Sequence, residues 1–243
     1  MRFYSVSDRG KLRENNEDSC FVKEIGDFTV LVLADGMGGH NCGETASSTA
    51  ISEISALLSE KLKGKMLPGQ IMLLLSEAMD KANEKIFELA KNDVTLSGMG
   101  TTCDICIVFK ETAYVAHVGD SRVYKISQSG KAKRLTKDHS LVEYMLDAGT
   151  ITPEEALHHP QKNIILRALG TAKTVEADVF HEKLKEGDSL LLCSDGLTNM
   201  VDEETVFGII TEEKNPEKSA VRLVQLANEA GGTDNITVIT ARL

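Results

Sequence analysis

The chain has 243 residues, of which 42% are hydrophobic and 26% charged, as is typical of a globular protein. Its 27 basic and 37 acidic residues give a formal net charge of −10, which argues against nucleic-acid binding because such a surface needs clustered lysine and arginine. The first residues hold no apolar signal-peptide core, the longest apolar runs are too short to cross a bilayer, and the cysteines follow no disulfide pattern. We therefore expect a cytoplasmic protein without membrane or nucleic-acid partners.

Periodicity and turn residues divide the chain into apolar strands and amphipathic helices. In chain order the predicted elements are a strand at 28–34, helices at 43–62 and 69–91, strands at 101–109, 112–118, 122–126 and 189–193, a helix at 216–230 and a strand at 236–241. Most strands are joined by short turns rather than by helical crossovers, and several are apolar at nearly every position. The pattern predicts largely antiparallel sheets with helices packed outside them.

Residues 138–170 differ from the rest because two short helical stretches there lack a core-like periodicity. One ends at Gly149, and the other begins after Thr152, where Pro153 and Glu155 complete a capping box. We interpret this segment as an excursion on the surface of one domain that spans residues 1–243, since the chain has no linker or repeat. No heptad seam is present, so we expect a monomer.

Cys103 and Cys106 form a CxxC, but they fall in the predicted strand 101–109, where residues three apart point to opposite faces. No second CxxC supplies further ligands for zinc. We interpret both cysteines as core residues.

Aspartates stand at the ends of several apolar strands. Asp35 follows the first in "TVLVLADGMGGHNCGE", Asp120 and Asp195 follow two others, and Asp234 comes just before the last strand. In an antiparallel sheet the end of one strand and the start of its neighbour lie at the same edge, so these side chains are able to converge. At ~4 Å and an effective dielectric constant of ~20, each pair of carboxylates repels by about 4 kcal/mol. Protonation or a bound cation must relieve that repulsion.

Two interpretations of these aspartates compete. Each Asp-Gly or Gly-Asp alone is more simply a turn dipeptide. Their recurrence after buried strands, together with the glycines at 36, 38 and 39, favours a metal site, because glycine lets the backbone approach a ligand and the Gly36 carbonyl is itself a possible ligand. An all-oxygen shell suits a hard divalent ion, Mg²⁺ or Mn²⁺.

Six motifs carry a family resemblance, in order along nearly the whole chain: "RENNED" (13–18), "ADGMGGHNCGE" (34–44), "GMGTT" (98–102), "HVGDSR" (117–122), "LLCSDGL" (191–197) and "GGTDNIT" (231–237). With these the chain resembles the metal-dependent protein serine/threonine phosphatases of type 2C, in their compact bacterial form. The resemblance implies an α+β fold, a four-layer α/β/β/α sandwich of two antiparallel sheets with helices on both outer faces. It also implies that residues 138–170 are the flap beside the active site.

The resemblance further implies residue roles. Asp35 bridges two Mn²⁺ or Mg²⁺ ions, Gly36 binds through its carbonyl, and Asp195 and Asp234 complete the protein ligands. Asp120 matches a residue that helps Asp195 to hold a third, weaker ion. Glu17 and Asp18 match positions that orient metal-bound water, and Arg13 matches the arginine that grips the substrate phosphate.

The implied reaction is hydrolysis of phosphoserine and phosphothreonine in proteins, the substrates of a serine/threonine kinase, in one step by a cation-activated bridging water and without a covalent intermediate. The alternative is a catalytically weak module of the same fold that binds phosphoproteins in signalling. One departure concerns Met37, where many eukaryotic members carry a histidine that is a candidate general acid; His40 is nearby but displaced, and we leave its role open.

Overall fold

The computed structural model of the chain describes residues 1–38, 42–157 and 159–243, and over these it contains eleven strands and seven α-helices. The strands are β1 (Arg2–Asp8), β2 (Asp18–Ile25), β3 (Phe28–Met37), β4 (Gly100–Thr101), β5 (Cys103–Phe109), β6 (Thr112–Val118), β7 (Arg122–Ile126), β8 (Ala132–Arg134), β9 (Asp178–Lys183), β10 (Ser189–Cys193) and β11 (Ile236–Arg242). The helices are α1 (Cys42–Lys61), α2 (Pro68–Asn92), α3 (Leu141–Asp147), α4 (Pro153–Leu157), α5 (Asp195–Thr198), α6 (Glu203–Glu212) and α7 (Pro216–Glu229).

The strands form two antiparallel sheets. One has the order β1-β11-β10-β7-β8, and the other has the order β2-β3-β5-β6-β9 with the short β4 paired to the end of β3. The two sheets pack face to face through aliphatic side chains such as Leu33, Cys106 and Leu192, all fully buried. This is the sheet-on-sheet packing of a β-sandwich.

Helices cover both outer faces of the sandwich. α1 and α2 bury Ile54, Leu75 and Ile86 against the second sheet. α6 and α7 bury Val206 and Leu223 against the first sheet. The predicted four-layer α/β/β/α sandwich is therefore confirmed, and it follows from strands that are apolar on both faces and helices that are apolar on one. Among the described helices none is both long and apolar enough to span a bilayer.

The predicted interior elements are close to the observed ones, with two differences that matter for the site. The first predicted strand continues past residue 34 to Met37, so Asp35 and Gly36 are paired residues of β3. The predicted strand 101–109 is interrupted at Thr102, whose N–H donates to the Asp35 carbonyl at 2.8 Å. Cys103 packs under the helices and Cys106 between the sheets, which confirms that they point to opposite faces.

The segment 138–170, which we call the flap, leaves the first sheet after β8 and carries α3 and α4. Ser140 caps α3 by accepting a hydrogen bond from the N–H of Glu143, and the predicted capping box joins Thr152 to Glu155. The flap returns alongside its own start, where Ser140 bridges Ile165, and then bridges β4 through Leu169. These short contacts fix both ends of the flap next to the ends of β4 and β6.

Candidate active site

Asp18 and Asp35 are directly opposite each other in the β2–β3 pair. Asp18 is buried, and its Oδ2 accepts a hydrogen bond of 2.8 Å from the Ser194 hydroxyl. The pKa of Asp18 is raised to about 7, mainly by burial and also by the neighbouring Asp195 and Asp234, against the hydrogen bonds from Thr237 and Ser194 that lower it. A carboxylate from the second sheet is thus joined to the end of β10 in the first.

Asp35 is half-buried at the end of β3, and its backbone is fixed on both sides. Its N–H donates to Thr102 Oγ1 at 3.0 Å, and its carbonyl accepts from the Thr101 hydroxyl at 2.9 Å. Its pKa lies well above the usual range, first because of burial and then because of the carboxylates of Asp18, Asp195, Asp120 and Asp234. The protein holds this side chain among like charges.

Gly36 lies where two backbone segments meet. A Cβ built on it would be 2.1 Å from the Gly43 carbonyl oxygen at the start of α1 and 2.6 Å from the Glu17 carbonyl oxygen. Its N–H donates to that Glu17 carbonyl at 3.1 Å. Only glycine has room at this position. The close approach sets the start of α1 directly against the candidate site.

Asp195 follows the end of β10, and Asp234 comes just before the start of β11, the neighbouring antiparallel strand. A Cβ on Gly196 would be 2.0 Å from the Asn235 carbonyl oxygen, so the two turns are in direct contact. Asp195 Oδ2 accepts from the Asn199 amide at 3.0 Å, and burial followed by Asp234 raises its pKa to about 6. Strand ends that are distant in sequence thus meet at one edge.

Arg13 lies on the loop between β1 and β2, with 48% of its side chain exposed. Its Nη2 is 2.8 Å from Asp234 Oδ2, so the arginine expected to hold a phosphate is paired here with an expected metal ligand. Glu17, on the same loop, is half-buried, and burial raises its pKa while Arg13 lowers it.

Asn235 organises this loop, a role that the sequence analysis missed. Its Nδ2 donates to the carbonyls of Arg9 and Asn15, both at 2.9 Å, and its Oδ1 accepts from the N–H of Glu17 at 2.8 Å. One amide side chain therefore binds three backbone groups of the segment that carries Arg13. The only signal in the sequence is that this asparagine immediately follows Asp234.

Asp120 follows β6 at a sharp turn. Gly119 has φ of +116°, where a Cβ would be 2.5 Å from Thr102 Cβ. The N–H of Gly119 donates to His139 Nδ1 at 3.1 Å, and the N–H of His139 donates back to the Gly119 carbonyl at 2.7 Å. The pKa of Asp120 is raised to about 7, mainly by burial and also by Asp195 and Asp138. The first residues of the flap thus hold the turn that presents Asp120.

Asp120 and Asp195 line a cleft, and the other carboxylates lie near enough to raise the pKa values of their neighbours. Within the described ranges, no three acidic, histidine or cysteine side chains close into a cage that would hold a metal ion alone. Three buried carboxylate oxygens nevertheless have no hydrogen-bond partner among the described atoms, and two of them, Asp18 Oδ1 and Asp120 Oδ1, belong to this site, while the third is Asp104 Oδ2. Buried anionic oxygens without partners are costly, and hard divalent cations prefer such oxygens. The donor set fits Mg²⁺ or Mn²⁺ with water in the remaining ligand positions.

The histidines considered in the sequence do not add a general acid to the described part of this site. His40 falls outside the described residues, while Met37 is half-buried at the end of β3. His117 is fully buried and pairs with Asp104 at 2.7 Å, away from the cleft.

Comparisons with known proteins agree with this architecture. The family described as "Protein phosphatase 2C" matches residues 10–227. The serine/threonine phosphatase stp of Listeria welshimeri is 41% identical over 234 residues, which cover 96% of this chain and 92% of that protein.

Solved structures are equally similar. The serine/threonine phosphatase Stp1 from Staphylococcus aureus has a TM-score of 0.93 at 36% identity, covering 99% of this chain and 94% of that one. The catalytic domain of the phosphatase PstP, solved in complex with two manganese ions, has a TM-score of 0.86 at 36% identity, covering 98% and 96%. From the match over nearly the whole chain, the protein belongs to the protein phosphatase 2C family and is a serine/threonine protein phosphatase.

Proposed function

We propose that the chain hydrolyses phosphoserine and phosphothreonine in proteins with two Mn²⁺ or Mg²⁺ ions held by Asp35, the Gly36 carbonyl, Asp195 and Asp234. The observation that carries this proposal is a set of carboxylates that raise one another's pKa values, two of which, Asp18 and Asp120, also have a buried oxygen without a partner among the described atoms. The relative solved with two manganese ions supports the number of cations. When bound, such a pair of ions lowers the pKa of a bridging water and offsets the negative charge of the phosphoryl oxygens.

The chain's own residues bind and orient the substrate in this proposal. The planar guanidinium of Arg13 is exposed and is suited to hold two phosphate oxygens at once. Asp18 and Glu17 orient water, with Asp18 held in place by the Ser194 hydroxyl. Asp120 and Asp195 hold a third, weaker ion, and the partnerless Asp120 Oδ1 supports that role.

We propose a single step without a covalent intermediate. Burial raises the pKa of Cys20, Cys103, Cys106 and Cys193, which disfavours a thiolate at any of them near pH 7. Three of these four lie inside β5 or β10, on buried strand positions rather than in the cleft. The fifth cysteine, Cys42, is buried, and its Sγ donates to the Thr95 carbonyl at 3.0 Å. We therefore propose water rather than a cysteine as the nucleophile.

The wider setting follows from the same proposal. Residues 1–243 act as one catalytic domain, with residues 138–170 as its flap. We propose that the enzyme works as a monomer in the cytoplasm on phosphoproteins made by a serine/threonine kinase. The free state of all five cysteines supports a reducing compartment.

The test is turnover of a phosphothreonine peptide and a phosphotyrosine peptide across Mn²⁺ and Mg²⁺ concentrations. We expect metal-dependent release of phosphate from phosphothreonine and none in the presence of a chelator. Asp234→Asn should lower kcat by ~10³-fold or more, because it removes charge that holds a catalytic cation. Asp27→Asn is the matched control, since Asp27 is exposed at the opposite end of β3. Turnover that survives chelation, or that Asp234→Asn leaves unchanged, would overturn the proposal.

A further inference from the structure

Asn83 is a polar residue on a helix face that is otherwise apolar. It lies on α2 with 2% of its surface exposed, and Met79 and Ile86, about one turn before and after it, are buried apolar residues of the core. Burying an amide costs free energy unless its donors and acceptors are paired. The partners of this amide therefore indicate what it does.

The Asn83 amide binds three backbone groups of residues 170–173, which we call the return segment. Its Oδ1 accepts from the N–H of Gly170 at 2.8 Å, and its Nδ2 donates to the carbonyls of Ala172 and Lys173 at 3.1 and 3.2 Å. Because one of these groups donates and two accept, a single orientation of the amide satisfies all three. The side chain therefore holds the return segment in one position.

The return segment also lies directly against α2. Gly170 has φ of +85°, and a Cβ built on it would be 2.1 Å from Ile86 Cγ2. Only glycine has both the room and the backbone freedom for this contact. Ile86 therefore keeps the return segment from moving towards α2, and the Asn83 amide keeps it from moving away.

Leu169, just before the return segment, connects it to Asp35. The N–H of Leu169 donates to the Thr101 carbonyl at 2.9 Å, and the N–H of Thr101 donates to the Leu169 carbonyl at 3.1 Å. Both residues are fully buried, and the Thr101 hydroxyl donates to the Asp35 carbonyl at 2.9 Å. A continuous series of hydrogen-bonded segments thus runs from α2 to the backbone of Asp35.

β4 has little freedom between the return segment and β3. Its Thr101 pairs with Gly36 of β3. Its Gly100 pairs with Met37, and a Cβ built on Gly100 would be 2.8 Å from Thr171 Cγ2 and 3.1 Å from Met37 Cε. A shift of the return segment is therefore transmitted through β4 to the part of β3 that carries the proposed cation ligands.

We propose that Asn83 is a positioning residue for the cation site. It acts through the return segment and β4, which hold the backbone of Asp35 and Gly36 where both bind the cations. The inference rests on the proposed function and gives α2, a helix that supplies none of the proposed ligands, a part in cation affinity. If the amide only stabilised the fold, its loss would lower the unfolding free energy and leave cation affinity unchanged.

The first test measures Mn²⁺ binding by titration calorimetry in the absence of substrate. Asn83→Ala removes the three hydrogen bonds to the return segment and should raise the Kd for Mn²⁺ by about tenfold, as the net loss of one or two hydrogen bonds would. Saturating Mn²⁺ should return kcat for an aryl phosphate to within about threefold of wild type, because excess cation restores occupancy by mass action. An unchanged Kd would overturn the proposal.

Thr240→Val is the matched control. Thr240 is buried towards the end of β11 that is farther from Asp234, and its hydroxyl donates to the Pro216 carbonyl at 2.7 Å. The variant loses a buried hydrogen bond outside the return segment, so its unfolding free energy in chelator should fall while its Kd for Mn²⁺ stays at the wild-type value. An equal rise of Kd in Asn83→Ala and Thr240→Val would assign the effect to general destabilisation and overturn the proposal.

Asn83→Asp is a more conservative variant. It keeps the volume of the side chain and an acceptor for the N–H of Gly170, but it has at most one hydrogen to donate where the amide has two. Its Kd for Mn²⁺ should rise by about threefold, to a value between those of wild type and Asn83→Ala. This variant decides if Asn83→Ala does not fold, since a Kd equal to that of wild type would again overturn the positioning role.

Wild-type protein separates a failure of this role from a failure of the proposed function. If it binds no Mn²⁺ and releases no phosphate from an aryl phosphate, the proposed function is wrong. If it binds Mn²⁺ and turns over, but the Asn83 variants bind Mn²⁺ equally well, only the positioning role is wrong.

Discussion

Asp104 and Asp35 are aspartates on neighbouring strands of one sheet, and their surroundings are opposite. Asp104 Oδ1 lies 2.7 Å from His117 Nδ1, and the other ring nitrogen of His117 lies 2.9 Å from the Lys137 carbonyl. Asp35 instead has the carboxylates of Asp18, Asp195, Asp120 and Asp234 around it, and all of them raise its pKa.

The difference separates a structural group from a functional one. In the buried pair, burial alone would lower the pKa of His117, but the contact with Asp104 raises it. The imidazole thus lies against Asp104 Oδ1 inside the protein and favours the charged form of that carboxyl, while Asp104 Oδ2 has no partner among the described atoms. Around Asp35 the charges that shift its pKa are all carboxylates, and a bound cation would balance them. Such a cluster of carboxylates destabilises the folded protein when no cation is bound, and cation binding stabilises it.

The largest expected effect comes from Asp35→Asn. It should lower kcat by ~10³-fold or more, because it removes the charge of a carboxylate that we propose as a ligand of the cations. In chelator the same variant should unfold at a temperature higher by ~2–4 °C for each kcal/mol of relieved repulsion. Thermal unfolding in chelator measures this, and a lower unfolding temperature would contradict the contrast with Asp104.

His117→Leu should act in the opposite direction on stability. It leaves the Asp104 carboxylate buried without its partner, and breaking such a pair costs about 3–5 kcal/mol. Denaturant unfolding measures the loss. Adding Asp104→Asn to the His117→Leu protein should restore part of the lost stability, since no charge is then left buried. A His117→Leu protein as stable as wild type would show that the pair is not structural.

The pH dependence of stability should also distinguish the carboxylates of the candidate site from the His117–Asp104 pair. Asp18, Asp120 and Asp195 have folded-state pKa values raised to about 7, about 7 and about 6, so the folded protein binds more protons than the unfolded chain between about pH 4 and pH 7. Stability in chelator should therefore fall as pH rises through that window, by up to ~1.4 kcal/mol per pH unit for each group.

Saturating Mn²⁺ should reduce this slope, because bound cations replace the protons. His117 and Asp104 should contribute equally to the pH dependence of the unfolding free energy with and without Mn²⁺. Their contribution therefore cancels when the two slopes are subtracted. Unfolding free energies at several pH values, with Mn²⁺ and with chelator, give that difference. Equal slopes in the two conditions would mean that the carboxylates are not the cation site.

Arg13→Ala should have the smallest effect on stability. The Arg13–Asp234 ion pair is exposed, so its loss should change the unfolding free energy by less than ~1 kcal/mol. KM for a phosphothreonine peptide should nevertheless rise by about tenfold, since a charge-assisted contact to phosphate is lost. A large loss of stability without a change in KM would assign Arg13 to the structure instead.

The sequence predicted the interior of both sheets and missed their edges. All six predicted strands are interior ones, and the four strands at the sheet edges, β1, β2, β8 and β9, were not predicted. An edge strand has one open side and carries polar residues, as in "RFYSVSD" of β1, so it lacks the apolar run that marks a buried strand. α6 was missed as well.

The candidate site divides in a similar way. The aspartates stand out in the sequence because each interrupts an apolar pattern at a strand end. The side chains that fix their surroundings do not stand out, because Ser194, His139 and Asn235 bind groups that lie far away in the sequence. Their hydrogen bonds exist only in the folded chain, so no local pattern marks them.

The Asn235 amide also bears on the order in which the molecule forms. It joins Arg9 to a residue 226 positions later, and Arg13 meets Asp234 across 221 positions. Contacts between residues so far apart in sequence form late in folding, because closing the long loop between them costs chain entropy before the contact itself stabilises the structure. During synthesis the β1–β2 loop therefore lacks its Asn235 partner until the residues just before β11 have left the ribosome. A truncated chain that ends before Asp234 would still contain the motif "ADGMGG", but the loop that carries Arg13 would lack the side chains of Asp234 and Asn235 that hold it.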